Sequence, residues 1–85
     1  MLRLRQICLV ASDLDRPVDD LKAIFGIEIC HHDPAVEKYG LKNALLPVGT
    51  NFLEIVAPFR DETAAGRYIN RRGGDGGYMV ILQCD

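Results

Sequence analysis

Two strand-like stretches decide the fold of this chain: Leu4-Arg5-Gln6-Ile7-Cys8-Leu9-Val10-Ala11 near its start and Phe52-Leu53-Glu54-Ile55-Val56 further along. Both stretches are rich in the apolar and β-branched residues that fill buried strands. The first leads into an amphipathic helix, and the second carries a single carboxylate, Glu54, between apolar neighbours. A strand, a helix and several further strands in this order predict a mixed α+β fold.

The first helix is predicted over residues 14–25. Its apolar residues recur at i, i+4, i+7 and i+11, which places them on one face. This stripe consists of Leu14, Val18, Leu21 and Phe25. Ser12 and Asp13 are residue types that favour helix N-caps, and Gly26 suits the left-handed conformation in which many helices end.

Four further strands and a second helix are predicted after the first helix. The strands lie at residues 27–30, 41–48, 52–56 and 78–82, and residues 49–51 have the composition of a hairpin turn. Pro47 indicates a strand end or a sheet edge, because it has no N–H group for pairing. The second helix is predicted at about residues 62–71, after Asp61-Glu62-Thr63, which are capping residue types, and a glycine-rich linker follows at 73–77. The predicted order is therefore βαβββ, helix, β.

Side chains alternate between the two faces of a strand, so strand residues can be sorted by position. One face is expected to pack against the first helix, and it receives Ile7, Leu9, Leu53, Ile55, Val80 and Leu82. The opposite, concave face is left for a ligand, and it receives Gln6, Cys8, Val10, Phe52, Glu54, Val56, Met79, Ile81 and Gln83. Of this second set, Cys8, Phe52, Met79 and Ile81 are predicted to line a substrate pocket around Gln6 and Glu54.

Size and composition limit the possible functions. The chain has 85 residues, which is enough for one small domain. Its net charge of −2 argues against binding to nucleic acid or to an anionic membrane, and no apolar run approaches the ~20 residues of a membrane span. The first residues lack the apolar core of a signal peptide, so a cytoplasmic location is expected. The three cysteines are expected to be reduced.

The order and spacing of these segments resemble the first half of proteins of the glyoxalase/bleomycin resistance/dioxygenase (vicinal oxygen chelate) superfamily. The first strand is similar to the family's Leu-Asp-His opening, with Gln6 where the metal-binding histidine commonly stands. Residues 53–58 are similar to the strand that carries a carboxylate or glutamine ligand, which falls on Glu54. Residues 63–81 are similar to the linker into the second module of methylmalonyl-CoA epimerase-like members, where Tyr78 and Met79 replace the usual His-His pair.

The resemblance implies a fold and a division of the chain. Residues 1–85 would form one glyoxalase-like domain, with a βαβββ module at 1–59 and a short helix with a glycine-rich linker at 60–77. Residues 78–85 would be the first strand of a second, incomplete module. The ligand cleft of such a protein lies between two modules.

The resemblance also implies a chemistry. Family members include lyases, isomerases, epimerases and ring-cleaving dioxygenases that hold a divalent metal such as Zn, Ni, Mn, Mg or Fe. Gln6 and Glu54 would be metal ligands here, and Glu54 would also be the catalytic residue that moves a proton on a small oxygenated substrate. Met79 falls in a ligand place, but its thioether suits soft copper rather than these ions.

Several alternatives stay open from the sequence. The chain could be a metal-free module that binds or sequesters a small molecule, or an inactive fragment of a longer two-module protein. An unpaired edge on the last strand predicts a homodimer. His31 and His32 could bind a metal or form a solvated loop pair, and Arg71 and Arg72 could hold an anion or end a helix favourably.

Overall fold

The computed structural model describes residues 1–28 and 30–84 of the chain. Its elements, in chain order, are β1 (Leu2–Val10), α1 (Asp15–Phe25), a 3₁₀ helix (Pro34–Tyr39), β2 (Leu41–Val48), β3 (Asn51–Pro58), α2 (Ala64–Arg72) and β4 (Gly76–Cys84). The predicted α+β class is confirmed.

The four strands form one mixed sheet in the order β2-β3-β1-β4. The two central strands, β1 and β3, run parallel, whereas β2 and β4 pair antiparallel with their neighbours. In the parallel pair, Cys8 lies opposite Glu54 and Gln6 lies opposite Phe52. The two stretches that define the fold in the sequence are therefore direct neighbours in the centre of the sheet.

Helix α1 covers one face of the sheet. Leu14, Val18 and Leu21 of the predicted stripe pack against a core that includes Ile55 and Leu46. Two predictions for this face are wrong, because Phe25 and Ile7 are both exposed. Phe25 lies at the last helical residue, so its side chain extends past the area that α1 covers.

Helix α2 packs against part of the opposite face. Ala65 and Ile69 join Cys8, Val10 and Val56 in a second buried cluster. Thr63 caps α2 by accepting a hydrogen bond from the Gly66 backbone N–H at 2.9 Å, which confirms a capping residue at this position. Only the remainder of this face, around Glu54, is left for a ligand.

The segment between α1 and the 3₁₀ helix differs from its prediction. A strand was predicted at residues 27–30, but the described part of this segment forms only an isolated bridge between His31 and Leu45. Ile29, within that predicted strand, lies outside the described residues. The segment alternates like a strand, but it makes only this one bridge to β2, which already pairs with β3 through its other edge.

The N-terminus of α1 also differs from its prediction. The N-cap is Leu14, which makes no side-chain capping bond. The Ser12 backbone N–H instead donates to the Asp75 side chain at 2.9 Å, which ties the start of the helix to the loop before β4. The predicted helix end at Gly26 is confirmed, with φ of 65°.

The strand β4 is longer than predicted and packs differently. Part of the predicted linker, Gly76 and Gly77, belongs to it. Val80 and Leu82 were predicted to join the core, but both are exposed, because α1 packs over the other three strands and β4 lies at the sheet edge. The pairing with β1 shifts near Tyr78, whose ring instead contacts Tyr68 of α2 with centroids 5.1 Å apart.

Candidate functional site

A buried carboxylate with two amide donors lies on the face opposite α1. Glu54 Oε1 accepts a hydrogen bond from Gln6 Nε2 at 2.6 Å, and Glu54 Oε2 accepts one from Asn43 Nδ2 at 2.9 Å. These three residues, which we call the Glu54 centre, come from the adjacent strands β1, β3 and β2. The expected meeting of positions 6 and 54 on one face is therefore observed.

The Glu54 centre is almost closed to solvent. Glu54 exposes 7% of its surface and Asn43 only 3%. A buried carboxylate is costly unless it is hydrogen-bonded, and bonds to a charged acceptor contribute roughly 1.5–3 kcal/mol each. Within the described ranges, no buried side-chain nitrogen or oxygen lacks a partner. The two amides are therefore what makes the position of Glu54 tolerable.

Asn43 is a residue of this centre that the sequence analysis missed. The Asp33 backbone N–H donates to Asn43 Oδ1 at 2.9 Å, so the amide nitrogen of Asn43 must point towards Glu54. His32 Nδ1 also lies 2.5 Å from the Asn43 backbone oxygen. An asparagine directly before the apolar residues 44–48 of a predicted strand was the available signal, but the pairing of β2 with β3 was needed to place it beside Glu54.

Cys8 is the β1 partner of Glu54, on the same face of the sheet, and it is fully buried. Burial, followed by the negative charge of Glu54 and a hydrogen bond to that carboxylate, raises the pKa of the Cys8 thiol from 9.0 to about 12. The group is therefore a neutral thiol at neutral pH. A thiol held protonated in this way is neither a nucleophile nor a metal ligand.

The other residues predicted for the pocket surround Gln6 and Cys8 through strand pairing. Phe52 and Ile81 are the β3 and β4 partners of Gln6, and Met79 is the β4 partner of Cys8. Directly paired residues share a face of the sheet. These side chains therefore adjoin the centre on its own face, and their contact with a substrate stays a prediction.

The two histidines of the loop do not converge on a metal position. His32 contacts Asn43, and its Nε2 is 4.0 Å from the Cys30 sulfur, whereas His31 pairs with Leu45 through its backbone. Both histidines are exposed. Across residues 1–28 and 30–84, no three His, Cys, Asp or Glu side chains cluster in a way that could hold a metal ion.

The centre by itself does not fit a divalent metal. An ion with open positions for substrate needs about three or four protein ligands, and this centre offers the oxygens of Gln6 and Glu54. Both oxygens of Glu54 already accept amide hydrogen bonds, and the Asn43 oxygen is occupied by Asp33. A metal-dependent site would therefore need further ligands from beyond the Glu54 centre.

An open depression adjoins the centre on the β2 side. It measures about 270 Å³ and is lined by His32, Asp33, Pro34, Glu37, Lys42 and Asn43. Charges of both signs therefore lie next to the buried Asn43. This is the polar side of the candidate site, whereas the β4 side is apolar.

Comparison with known proteins finds similar structures but no matching sequence family. No family model matches the chain, and no curated protein matches it. A variant of the Streptomyces coelicolor methylmalonyl-CoA epimerase in complex with 2-nitronate-propionyl-CoA is 26% identical, with a TM-score of 0.84 over 98% of this chain. A methylmalonyl-CoA epimerase in complex with methylmalonyl-CoA and NH4+ is 25% identical, with a TM-score of 0.85 over the whole chain.

The chain has the glyoxalase-type fold. A hypothetical protein from Bacillus halodurans C-125 shares the fold at 17% identity, with a TM-score of 0.85 over 95% of this chain. The superfamily resemblance found in the sequence is thus confirmed by structures that include methylmalonyl-CoA epimerases. The chain spans only 57–63% of the length of these three structures.

Among the described residues, no helix is long and apolar enough to cross a membrane.

Proposed function

We propose that the Glu54 centre is the proton-transfer centre of an isomerase or epimerase acting on a small oxygenated acyl substrate. The observation that carries the proposal is the carboxylate of Glu54, which accepts an amide hydrogen bond at each oxygen on the face of the sheet opposite α1. The structural likeness to methylmalonyl-CoA epimerases supports an epimerase-type role for a glyoxalase-like protein. An acyl-CoA thioester with an acidic α-hydrogen is therefore the first substrate class to test.

The proposed chemistry needs one proton acceptor beside the substrate. The two carboxylate oxygens of Glu54 have four lone pairs between them, and the two amides use two of these, so the carboxylate can still accept a proton. Glu54 removes the hydrogen next to the carbonyl, and the electron pair moves onto the carbonyl oxygen as an enolate. Return of a proton from Glu54 to the same face of the carbon regenerates the acyl group and the carboxylate, whereas epimerisation needs a second acid, outside the Glu54 centre, that delivers the proton to the opposite face.

The division of the chain follows the same proposal. Residues 1–59 act as the first module, residues 60–77 as the connection and residues 78–85 as the first strand of a second module. Coverage of about three fifths of the structural relatives supports this division. Gln6 and Glu54 then supply part of a site, and any metal ligands beyond these two come from outside the chain.

The test is hydrogen exchange at the α-carbon. Methylmalonyl-CoA is incubated in D₂O with the protein, and loss of the α-hydrogen signal is followed by NMR against a protein-free blank. The proposal predicts exchange above the blank that Glu54→Gln abolishes and that Asn70→Asp, on the exposed side of α2, leaves unchanged. Parallel samples with EDTA and with added Mn²⁺ separate proton transfer by the chain alone from a metal-dependent reaction.

A metal-free binding module is the second candidate. The amide hydrogen bonds at both oxygens of Glu54 and the incomplete ligand set favour it. This candidate predicts that calorimetry detects no metal binding at millimolar Mn²⁺, Ni²⁺ or Zn²⁺, and that an acyl-CoA binds without any exchange of its α-hydrogen. Metal binding that Glu54→Ala removes would instead support the enzyme.

A further inference from the structure

The strand β1 has one residue more than the part of β4 with which it pairs. Leu4 lies opposite Leu82 and Gln6 lies opposite Ile81, so Arg5 is an extra residue between two consecutive pairs. This arrangement is a β-bulge, in which two neighbouring residues of one strand oppose a single residue of the other. Bulges are common next to active sites, where they redirect a side chain.

The bulge decides which face of the sheet receives the side chain of Arg5. Strict alternation from Gln6 would put Arg5 on the face that α1 covers. In the structure, Leu4 and Ile7 both lie on that face, where they line one depression together with Phe25 at the end of α1. The two residues between them, Arg5 and Gln6, therefore share the opposite face, which is the face of the Glu54 centre.

This face is open at the end where Arg5 lies. Helix α2 covers the other end, where Cys8 and Val10 of β1 are buried against it. Gln6 marks the boundary, with 9% of its surface exposed, and Arg5 is exposed. A ligand that approaches Glu54 along β1 therefore passes the side chain of Arg5.

The open end of the face is positively charged. Arg3 lies on the same face as Arg5, opposite Gln83 of β4. Apart from Glu54, the strands β1, β3 and β4 contain no acidic residue. A guanidinium group binds a carboxylate or a phosphate through two parallel N–H bonds, so this end of the face suits an anionic group of a ligand.

We propose that Arg5 binds the carboxylate of an acyl substrate whose reacting carbon carries both that carboxylate and a thioester carbonyl. The inference rests on the function proposed above and adds to it the group that recognises the substrate. Arg5 and Gln6 are neighbours in the chain, and Gln6 donates to Glu54, so an anion on Arg5 lies close to the reacting carbon. The phosphates of coenzyme A lie at the far end of a long pantetheine arm, which favours the acyl carboxylate.

The pairing also has a chemical consequence. A carboxylate on the reacting carbon opposes enolate formation, because a second negative charge develops beside the first. A guanidinium bound to that carboxylate compensates for the repulsion while Glu54 removes the hydrogen. Arg5 thus acts on substrate binding and on the acidity of the same carbon.

The test compares two thioesters that differ only in the carboxylate. Calorimetry measures the binding of methylmalonyl-CoA and of propionyl-CoA to the intact chain and to its variants. Arg5→Gln is expected to weaken methylmalonyl-CoA binding by about 10-fold or more, because it removes a charge-assisted pair, and to leave propionyl-CoA binding unchanged. Arg5→Lys keeps the charge but loses the two parallel bonds, so its affinity should be intermediate. The matched control is Arg16→Gln, the same change at an exposed position of α1, which should alter neither affinity.

The binding data and the α-hydrogen exchange separate this inference from the proposed reaction. A chain that shows no exchange but binds methylmalonyl-CoA through Arg5 would refute the reaction and retain the anion subsite. Exchange that Glu54→Gln abolishes, with affinities that Arg5→Gln leaves unchanged, would retain the reaction and overturn the subsite. Equal weakening of both thioesters would assign Arg5 to the coenzyme A phosphates and overturn the acyl-carboxylate assignment. A wild-type chain that does not bind methylmalonyl-CoA at millimolar concentration would overturn it as well.

Discussion

Replacing Asn43 by aspartate should make the stability of this protein depend on pH in an unusual direction. The substitution is isosteric, and the oxygen that accepts the Asp33 N–H bond is retained. What changes is the amide group 2.9 Å from Glu54 Oε2, which becomes a carboxylate oxygen. Two buried carboxylates would then face each other.

The size of the effect follows from two competing costs. Keeping both charges at this 2.9 Å separation costs about 6 kcal/mol at an effective dielectric constant of about 20. Keeping one proton on the introduced carboxyl group, with an unperturbed pKa of about 3.9, costs about 4 kcal/mol at pH 7. Protonation is the cheaper solution, so about 4 kcal/mol of unfolding free energy should be lost at pH 7.

The sign of the pH dependence follows from the same proton. The folded variant retains a proton that its unfolded chain releases, so the pKa of the introduced carboxyl group is raised on folding. The variant then has its full unfolding free energy below about pH 4, and it loses about 1.4 kcal/mol of this free energy for each pH unit above that. At pH 5 the cost should have fallen to about 1.5 kcal/mol.

Urea unfolding of Asn43→Asp and of Asn70→Asp at pH 7, 6 and 5 measures this difference. The variant Asn70→Asp makes the same chemical change at an exposed position of α2. Subtracting its change in unfolding free energy therefore removes the general effect of adding one negative charge. The difference in unfolding free energy between the two variants should narrow steadily as the pH falls from 7 to 5. Parallel behaviour of the two variants at every pH would refute the placement of Asn43 beside Glu54.

Three further outcomes are expected. In the native protein at pH 8, iodoacetamide should label the exposed Cys84 and leave Cys8 unlabelled, because Cys8 is buried and its pKa is raised to about 12. Mass spectrometry of peptides identifies the labelled cysteines, and labelling of Cys8 in the folded protein would contradict its burial. Gly40→Ala should destabilise more than Gly49→Ala in urea unfolding: both glycines have positive φ, but only at Gly40 would a Cβ lie within 3 Å of neighbouring side chains. Tyr68→Phe should lower the unfolding free energy by about 1 kcal/mol, because it removes the 2.7 Å hydrogen bond from the Tyr68 hydroxyl to the Gly77 carbonyl. An unchanged midpoint of urea unfolding would contradict that hydrogen bond.

The sequence by itself determined the alternation of the central strands and the course of the main helices. Gln6 and Glu54 could be placed on one face because side-chain direction along a strand has a period of two, which is a local property. The stripe of α1 and the cap of α2 at Thr63 could be predicted for the same reason, since helix periodicity and capping involve residues a few positions apart.

Tertiary structure decided what lies beside each strand and where the sheet ends. The role of Asn43 depends on β2 pairing with β3, and the exposure of Val80 depends on β4 lying beyond the reach of α1. Neither can be read from local periodicity, because both depend on contacts between distant segments. The predicted strand at 27–30 was wrong for the same reason, since Ile27, Glu28 and Cys30 lie in no strand despite their alternating pattern and the nearby bridge is made by His31.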